Sequence, residues 1–462
     1  MLDEKTVAEL QQIVGPDAVL DAPEDLIAFE FDATIERALP DAAVFPSDAR
    51  QVSQVVRLAG RVGVPVVARG AGTGLSGGSV PVEGGIVVVL TRMNRILKLD
   101  PVNRLAVVEP GVVNLILDQA ARKHGLFFAP DPSSQRVCTI GGNVAENAGG
   151  PHCLAYGVTT NHVLGLELVL ADGSIVEVGG MTRDLPGYDL TGVVVGSEGT
   201  LAIVTKAVIR LLPEPETGYT LVAQFKELVD ASNAVSAIIA AGIVPQCMEL
   251  SDREVIRAIQ ESMGIQAEPV AGAILIVEVE GLAEDVAVKG PAILAILEAH
   301  GSISIRQASE KAERDQVWLM RKAAVGALGR VASNYYVLDG VVPRTRLPEL
   351  LKGVYEIAAG YGLRVVNVFH AGDGNLHPNF LFDAAIPGET ERVLAAGSDI
   401  LRLCAEAGGS ITGEHGVGLE KRDHMRLIFN DGDLAAMARV RAAFGGERFN
   451  PGKLFPSTAE SD

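Results

Sequence analysis

No Cys-x-x-Cys pair occurs in this chain of 462 residues; its four cysteines stand apart at 138, 153, 247 and 404. That scatter suggests neither a disulfide framework nor a cysteine-ligated iron–sulfur cluster, and it fits a reducing compartment. No apolar run approaches the roughly 20 residues that span a bilayer, so no transmembrane segment is expected. The opening MLDEKTVAELQQIV reads as a charged amphipathic helix, not a signal peptide. Basic charge is short as well. Lys and Arg number 39 against 58 Asp and Glu, a net charge of −19, which argues against a nucleic-acid partner, since that needs a basic face. A soluble, cytoplasmic protein is expected, without internal repeats. Glycine is what abounds: 51 residues, about 11% against a usual 7% or so. Glycines cluster where backbone must approach something closely.

The length exceeds what one core supports, and two or three domains are the default. Asp48 is placed to cap an amphipathic helix over 48–63 that ends at Gly63. VPVVAR, GGIVVVL (84–90) and RLAVVEPG (104–111) read as strands, and 112–125 as a helix ending at Gly125. GLELVLADGSIVEV (165–178) reads as a hairpin turning at Asp172-Gly173. Glycine-rich turns are expected at GAGTGLSGG, at TIGGNVAENAGG (139–150) and within GVVVGSEGTLAIVTKAVIRLLP (192–213), the last flanked by strands. PEPETG (213–218) marks a boundary. Beyond it YTLVAQF, AILIVEVEG, SISIRQA and YYVLDGVVP are strands separated by helical stretches at 226–241 and 281–299, an antiparallel sheet with helices. The fold class is therefore α+β, with domains over 1–213 and 214–462.

GTGLSG (72–77) matches the dinucleotide fingerprint literally, but Pro81, Gly84, Gly85 and a strand follow where a helix should open. NAD is rejected on that ground. A run of backbone amides in a glycine loop can still cradle a diphosphate. At FHAGDGNLHP (369–378), a two-residue turn at Asp373-Gly374 pairs 372 with 375, 371 with 376 and 370 with 377, putting the Cβ atoms of the two histidines about 4.5–5.5 Å apart on one face with Asn379, close enough to chelate one ion. On the hairpin alone, one shared metal and two satisfied surface histidines remain equally open.

PVVARGAGTGLSGG, PDPSSQRVCTIGGNVAENAGG and VVGSEGTLAIVT resemble the FAD-binding (PCMH-type) domain of the vanillyl-alcohol oxidase/p-cresol methylhydroxylase family. HAGDGNLHPN and GEHGVGLEKR resemble its FAD-linked oxidase C-terminal domain, in the branch of glycolate oxidase, D-lactate dehydrogenase and D-2-hydroxyglutarate dehydrogenase. The resemblance spans nearly the whole chain in the family's order. It implies a two-subdomain FAD-binding domain followed by a substrate domain, with about 410–462 packing back toward the flavin. Arg69, Gly70, Ala71, Gly72, Thr73 and Gly74, with Ser76, Gly77 and Gly78, would form the diphosphate loop. Pro130, Asp131, Ser133, Gly141, Gly142, Asn143, Asn147 and Gly149 would face the flavin; Gly196, Gly199 and Ile203 would run along it, and Asn450 would touch it. Thr73 stands where some members attach FAD through a His, so non-covalent FAD is expected.

The same resemblance implies a divalent ion, Zn or Mn, held by His370, His377 and Glu414, the open ligand set of a catalytic site. A cation lowers the pKa of a coordinated hydroxyl, the hydride goes to the flavin, and His415 is the candidate general base. Arg321 would bind the substrate carboxylate and Asn379 would add a polar contact, His415 also lying against the substrate. Val325 and Val337 stand where D-2-hydroxyglutarate dehydrogenases carry a Thr and a Lys for a second carboxylate, so D-lactate or glycolate is the expected substrate. A D-2-hydroxyglutarate dehydrogenase, a flavin transferase like alkylglycerone-phosphate synthase and a non-catalytic oxidase subunit are the rivals. Electrons must leave to a quinone, a cytochrome or a partner subunit. A homodimer, and a peripheral place at the inner membrane, are compatible with this reading.

Overall fold

The computed structural model describes residues 2–182, 186–262, 264 and 270–457, except the side chains of Ser262 and Val325, so the expectation for Val325 lies outside what is described. By their contacts the residues divide into two compact units: Met1–Gly149 with Gly157–Glu214 and Glu414–Asp462, and Gly150–Tyr156 with Pro215–Gly413.

In the first unit the local signals act as their chemistry requires. Asp3 accepts from the Thr6 amide at 2.8 Å and opens the helix Glu4–Val14. Asp48 accepts from the Gln51 amide at 2.9 Å and opens Ala49–Val62, which ends on Gly63 at φ 74°. These helices bury Leu10, Val52, Val55, Val56 and Leu58 in a core shared with Val66, Ile86, Val88 and Phe449. Full burial of a Val, Leu or Phe side chain contributes about 1.5–3 kcal/mol, so such a cluster outweighs any single cap. Within the described residues, a four-stranded sheet runs Val19–Leu20, Ala42–Val44, Ile86–Val89, Val66–Arg69, its last two pairings parallel. A five-stranded antiparallel sheet runs Ile96–Asp100, Leu105–Val108, Ile203–Arg210, Val163–Val169, Ile175–Gly179. No described helix follows the loop after Arg69 before strand Ile86–Val89, in keeping with the rejection of a dinucleotide fingerprint.

Two expected pieces differ. TIGGNVAENAGG is not a turn but a helix, Ile140–Glu146, capped by Thr139 and ended by Asn147 in the left-handed conformation at φ 54°. Its glycines serve packing: a methyl on Gly141 would lie 2.6 Å from Pro110 Cβ. The expected strand at 192 is a short helix, Leu190–Val194, because Asp189 accepts from the Gly192 amide at 2.8 Å. Its β-branched valines favour a strand, and the cap overrides them.

The second unit is built on a nine-stranded sheet, all of whose described pairings are antiparallel. Its middle places Thr217–Phe225, Ala273–Gly281, Cys247–Asp252 and Arg364–His370 side by side. Helices Leu228–Ala240, Ala283–Ala299 and Lys311–Leu328 belong to the same unit. Among the described residues no helix is long and apolar enough to cross a membrane.

Candidate active site

A cavity in the first unit is lined by three stretches that the sequence singled out. Arg69 to Gly74 and Gly78 form one wall; Ser133, Gly141, Gly142, Asn143 and Gly149 form another; Gly199 and, from far along the chain, Glu414 and His415 close it. Ser76, Gly77, Pro130, Asp131, Asn147, Gly196, Ile203 and Asn450 do not line it. They sit behind the wall: Pro130 O accepts from Asn114 Nδ2 at 2.9 Å, Gly196 N donates to Val144 O at 2.9 Å, Ile203 is core, and Asn450 Nδ2 donates to Gly78 O at 2.9 Å and Glu198 O at 2.7 Å.

The lining fits a flavin dinucleotide. The backbone amides from Ala71 to Ser79 find no acceptor among the described residues, so the loop presents a run of donors suited to a diphosphate. Gly72 sits at φ 71°, and any side chain there would collide with the Arg69 guanidinium, which braces the loop by donating to Phe31 O at 2.7 Å and Ser79 Oγ at 3.1 Å. Asn143 is 3% exposed, yet its Nδ2 has no acceptor among the described residues. A buried orphan donor costs about 1–3 kcal/mol, which a cofactor carbonyl would offset.

A charge cluster that sequence reasoning missed joins Glu146 and Glu198, which themselves line the cavity, to Asp32 and Lys453. Glu198 Oε1 accepts from Val417 N at 2.7 Å and its Oε2 from Gly418 N at 2.5 Å, tying the loop that carries Glu414 and His415 to the turn after Val194. Glu198 is held at φ 54°, a conformation that persists in a non-glycine residue only when its surroundings over-determine it. Gly416 has no room for a side chain: a methyl there would lie 2.6 Å from Glu146 Oε2 and 2.9 Å from Glu198 Oε1. Burial first, then Glu198 and Asp32, push the Glu146 carboxyl well above the usual carboxylate range. Burial pulls the Lys453 ammonium down to about 7 against the pull of Asp32, Glu146 and Glu198, while its Nζ donates to Gly78 O at 2.8 Å. The available signal was Lys453, Glu146 and Glu198, each a lone charge inside a glycine-containing stretch (NPGKLF, NVAENAGG, GSEGT); Asp32, among the charges of FEFDATIER, gave none.

In the second unit the hairpin register differs from the sequence expectation by two residues. His370 pairs with Asn375, and 364 to 367 pair with 381 to 378, leaving 371–374 as a four-residue loop in which Gly374 alone has positive φ, at 82°. His377 is therefore a diagonal neighbour of His370, not its direct partner. A two-residue shift preserves the face, so the imidazoles still meet edge to face with centroids 5.1 Å apart. His370 Nδ1 lies 2.6 Å from Glu249 Oε1, and His377 Nδ1 lies 3.1 Å from Leu338 O. Both rings thus have an acceptor at Nδ1, the arrangement that puts the lone pair on Nε2 for a metal.

Arg321 is 7% exposed and pairs with Glu249, so it is no helix-surface charge, and its Nε has no acceptor among the described residues. Asn379 Nδ2 donates to His377 O at 2.6 Å, and its buried Oδ1 has no donor among the described residues. Val337 is paired with Asn379 across two strands. Glu249, on the wholly buried strand CMELSD, is the member that the sequence reading passed over.

A glycine-loop cavity with an amide nest and a separate imidazole pair define a flavin-dependent oxidoreductase scaffold. Residues 214–454 match the model of the FAD linked oxidases, C-terminal domain, and residues 40–179 that of the FAD binding domain. The chain belongs to the FAD-linked oxidases and is an FAD-linked oxidoreductase. It is 44% identical to the glycolate oxidase subunit GlcD of Escherichia coli (strain K12) over 441 residues, 95% of this chain and 88% of that one. It is 35% identical to D-lactate dehydrogenase of Archaeoglobus fulgidus, covering 92% of this chain and 95% of that one. Among solved structures, p-cresol methylhydroxylase with substrate bound superposes with a TM-score of 0.82 at 18% identity, over 98% of this chain and 96% of that one, a likeness of fold.

Proposed function

We propose that this chain is an FAD-dependent, metal-assisted dehydrogenase that oxidises a D-2-hydroxy acid of the D-lactate or glycolate type to the 2-oxo acid. The observation that carries the reading is the buried imidazole pair beside Arg321: two Nδ1 atoms held by protein acceptors, with a buried guanidinium whose Nε lacks one. His370, His377 and Glu414 would hold one Zn or Mn, and that ion would supply acidification of a coordinated hydroxyl. FAD, bound non-covalently with Thr73 in its loop, would supply the hydride acceptor.

The remaining work falls to side chains. Arg321 offers its Nε edge to the substrate carboxylate, and Asn379 offers Oδ1 to a hydroxyl. His415, lining the flavin cavity, takes the hydroxyl proton, since an imidazole accepts one near neutral pH. Val337 has no charge to hold a second carboxylate, which favours a monocarboxylate over D-2-hydroxyglutarate. The flavin domain is assigned to 1–213 and the substrate and metal domain to 214–462, with the segment after 410 returning to the flavin, a reading in keeping with Glu414 and His415 on the cavity wall. The word "subunit" in the name of the Escherichia coli relative favours electron transfer to a partner chain, with a quinone or cytochrome beyond it. Such a handover suits a cytoplasmic or peripheral protein at the inner membrane.

The test is anaerobic. D-lactate, glycolate and D-2-hydroxyglutarate are added separately to the purified holoprotein while flavin absorbance is followed. Bleaching by D-lactate or glycolate is expected, and no bleaching by any 2-hydroxy acid would sink the reading.

A further inference from the structure

Two buried groups that the proposed function uses for different purposes share one carboxylate. Glu249 stands on strand Cys247–Asp252 directly opposite His370, with its side chain fully buried. One oxygen receives His370 Nδ1 at 2.6 Å; the other receives Arg321 Nη2, from helix Lys311–Leu328. We propose that Glu249 is a positioning residue for the reaction, setting the tautomer of His370 for metal binding and aiming Arg321 at the substrate carboxylate. This inference rests on the metal-assisted reading above.

A purely structural role fits the geometry less well. Burying an acid and a guanidinium, with side chains 0% and 6% exposed, incurs desolvation that apolar side chains of similar volume would avoid, often with no loss of stability. Function is the reason to keep such a pair. Glu249 faces the always-charged Arg321 guanidinium as the acid of a buried ion pair. An ionised carboxylate can only accept, which makes His370 Nδ1 the donor and leaves Nε2 as the ligating nitrogen. His377 reaches the same state by a different acceptor, Leu338 O. Only the Glu249 arm therefore links a metal ligand to the substrate cation. With Arg321 Nη2 donating to Glu249, its buried Nε still has no acceptor among the described residues and is a donor open to a substrate.

The test compares wild type, Glu249→Gln and Glu249→Asp as FAD-loaded full-length protein. Metal per chain is measured by mass spectrometry after dialysis against graded EDTA, and kcat and KM are measured separately with D-lactate and glycolate. Expected for Glu249→Gln is unchanged flavin absorbance, a loss of metal affinity of about 10- to 100-fold, and a KM raised at least tenfold. Glu249→Asp, keeping the charge on a shorter arm, is expected to recover part of both. Retention of wild-type metal and KM by Glu249→Gln overturns the proposal. So does loss of flavin together with metal in both variants, which would mark the carboxylate as structural. Wild-type protein that carries no divalent ion instead sinks the metal-assisted reading itself.

Discussion

His370 and His377 show what a short stretch reveals and where it stops. Their separation and the strand-like flanks made a common face legible, because side chains alternate with period two. The register was not legible: Asp373-Gly374 suggested a two-residue turn, but Asp373 accepts from the Asn375 amide at 3.1 Å and the loop takes four residues. The face survived because the shift was even. Glu249 left no readable trace, since its partners lie 72 and 121 residues away. For the base, His415→Ala is expected to lower kcat by about 10²- to 10⁴-fold while flavin absorbance and metal content persist, in rapid kinetics and metal analysis. His370→Ala and Glu414→Ala should each lose the ion; retention of both metal and activity would discard the ligand assignment.

Elements with a local signal were legible. Helix Ala49–Val62 carries its own cap, period and left-handed stop, and every one of those interactions lies within a few residues. Helix Ile140–Glu146 has a local cap in Thr139 and a left-handed stop at Asn147, but its Gly141-Gly142 pair lowers helix propensity, and the packing on Pro110 settles the matter. The loop 414–418 is held from outside by Glu198. Glu198→Ala is expected to speed amide exchange at Val417 and Gly418 at least tenfold and to lower kcat, leaving amides of strand Ile203–Arg210 unchanged by hydrogen–deuterium exchange. Gly418→Ala, at φ 52° with a methyl driven onto Ser76 O, should destabilise the first unit by more than about 1 kcal/mol in denaturant unfolding.

For the molecule as a whole, charge burial in the first unit sets a pH dependence. Glu146 is raised in the fold, so its contribution is full below the ordinary carboxylate range and is lost as pH rises through the folded value. Glu146→Gln keeps the shape and removes that titration. Its melting temperature should therefore fall less than wild type's between about pH 5 and 8, a tenfold difference in proton affinity between the folded and unfolded chains being worth about 1.4 kcal/mol. The chain's order of glycine motifs, its paired histidines and its excess of acidic residues were determined by the sequence alone, because they depend on neighbours within a dozen residues or on composition. Only the tertiary structure decided that Gly150–Tyr156 leaves the first unit for the second, that Glu198 reaches loop 414–418, and that Glu249 joins His370 to Arg321. Those hydrogen bonds and ion pairs span 72 to 220 residues of chain, and no local propensity encodes them. The burial of apolar surface draws the strands together, and the charges must then find partners where they land.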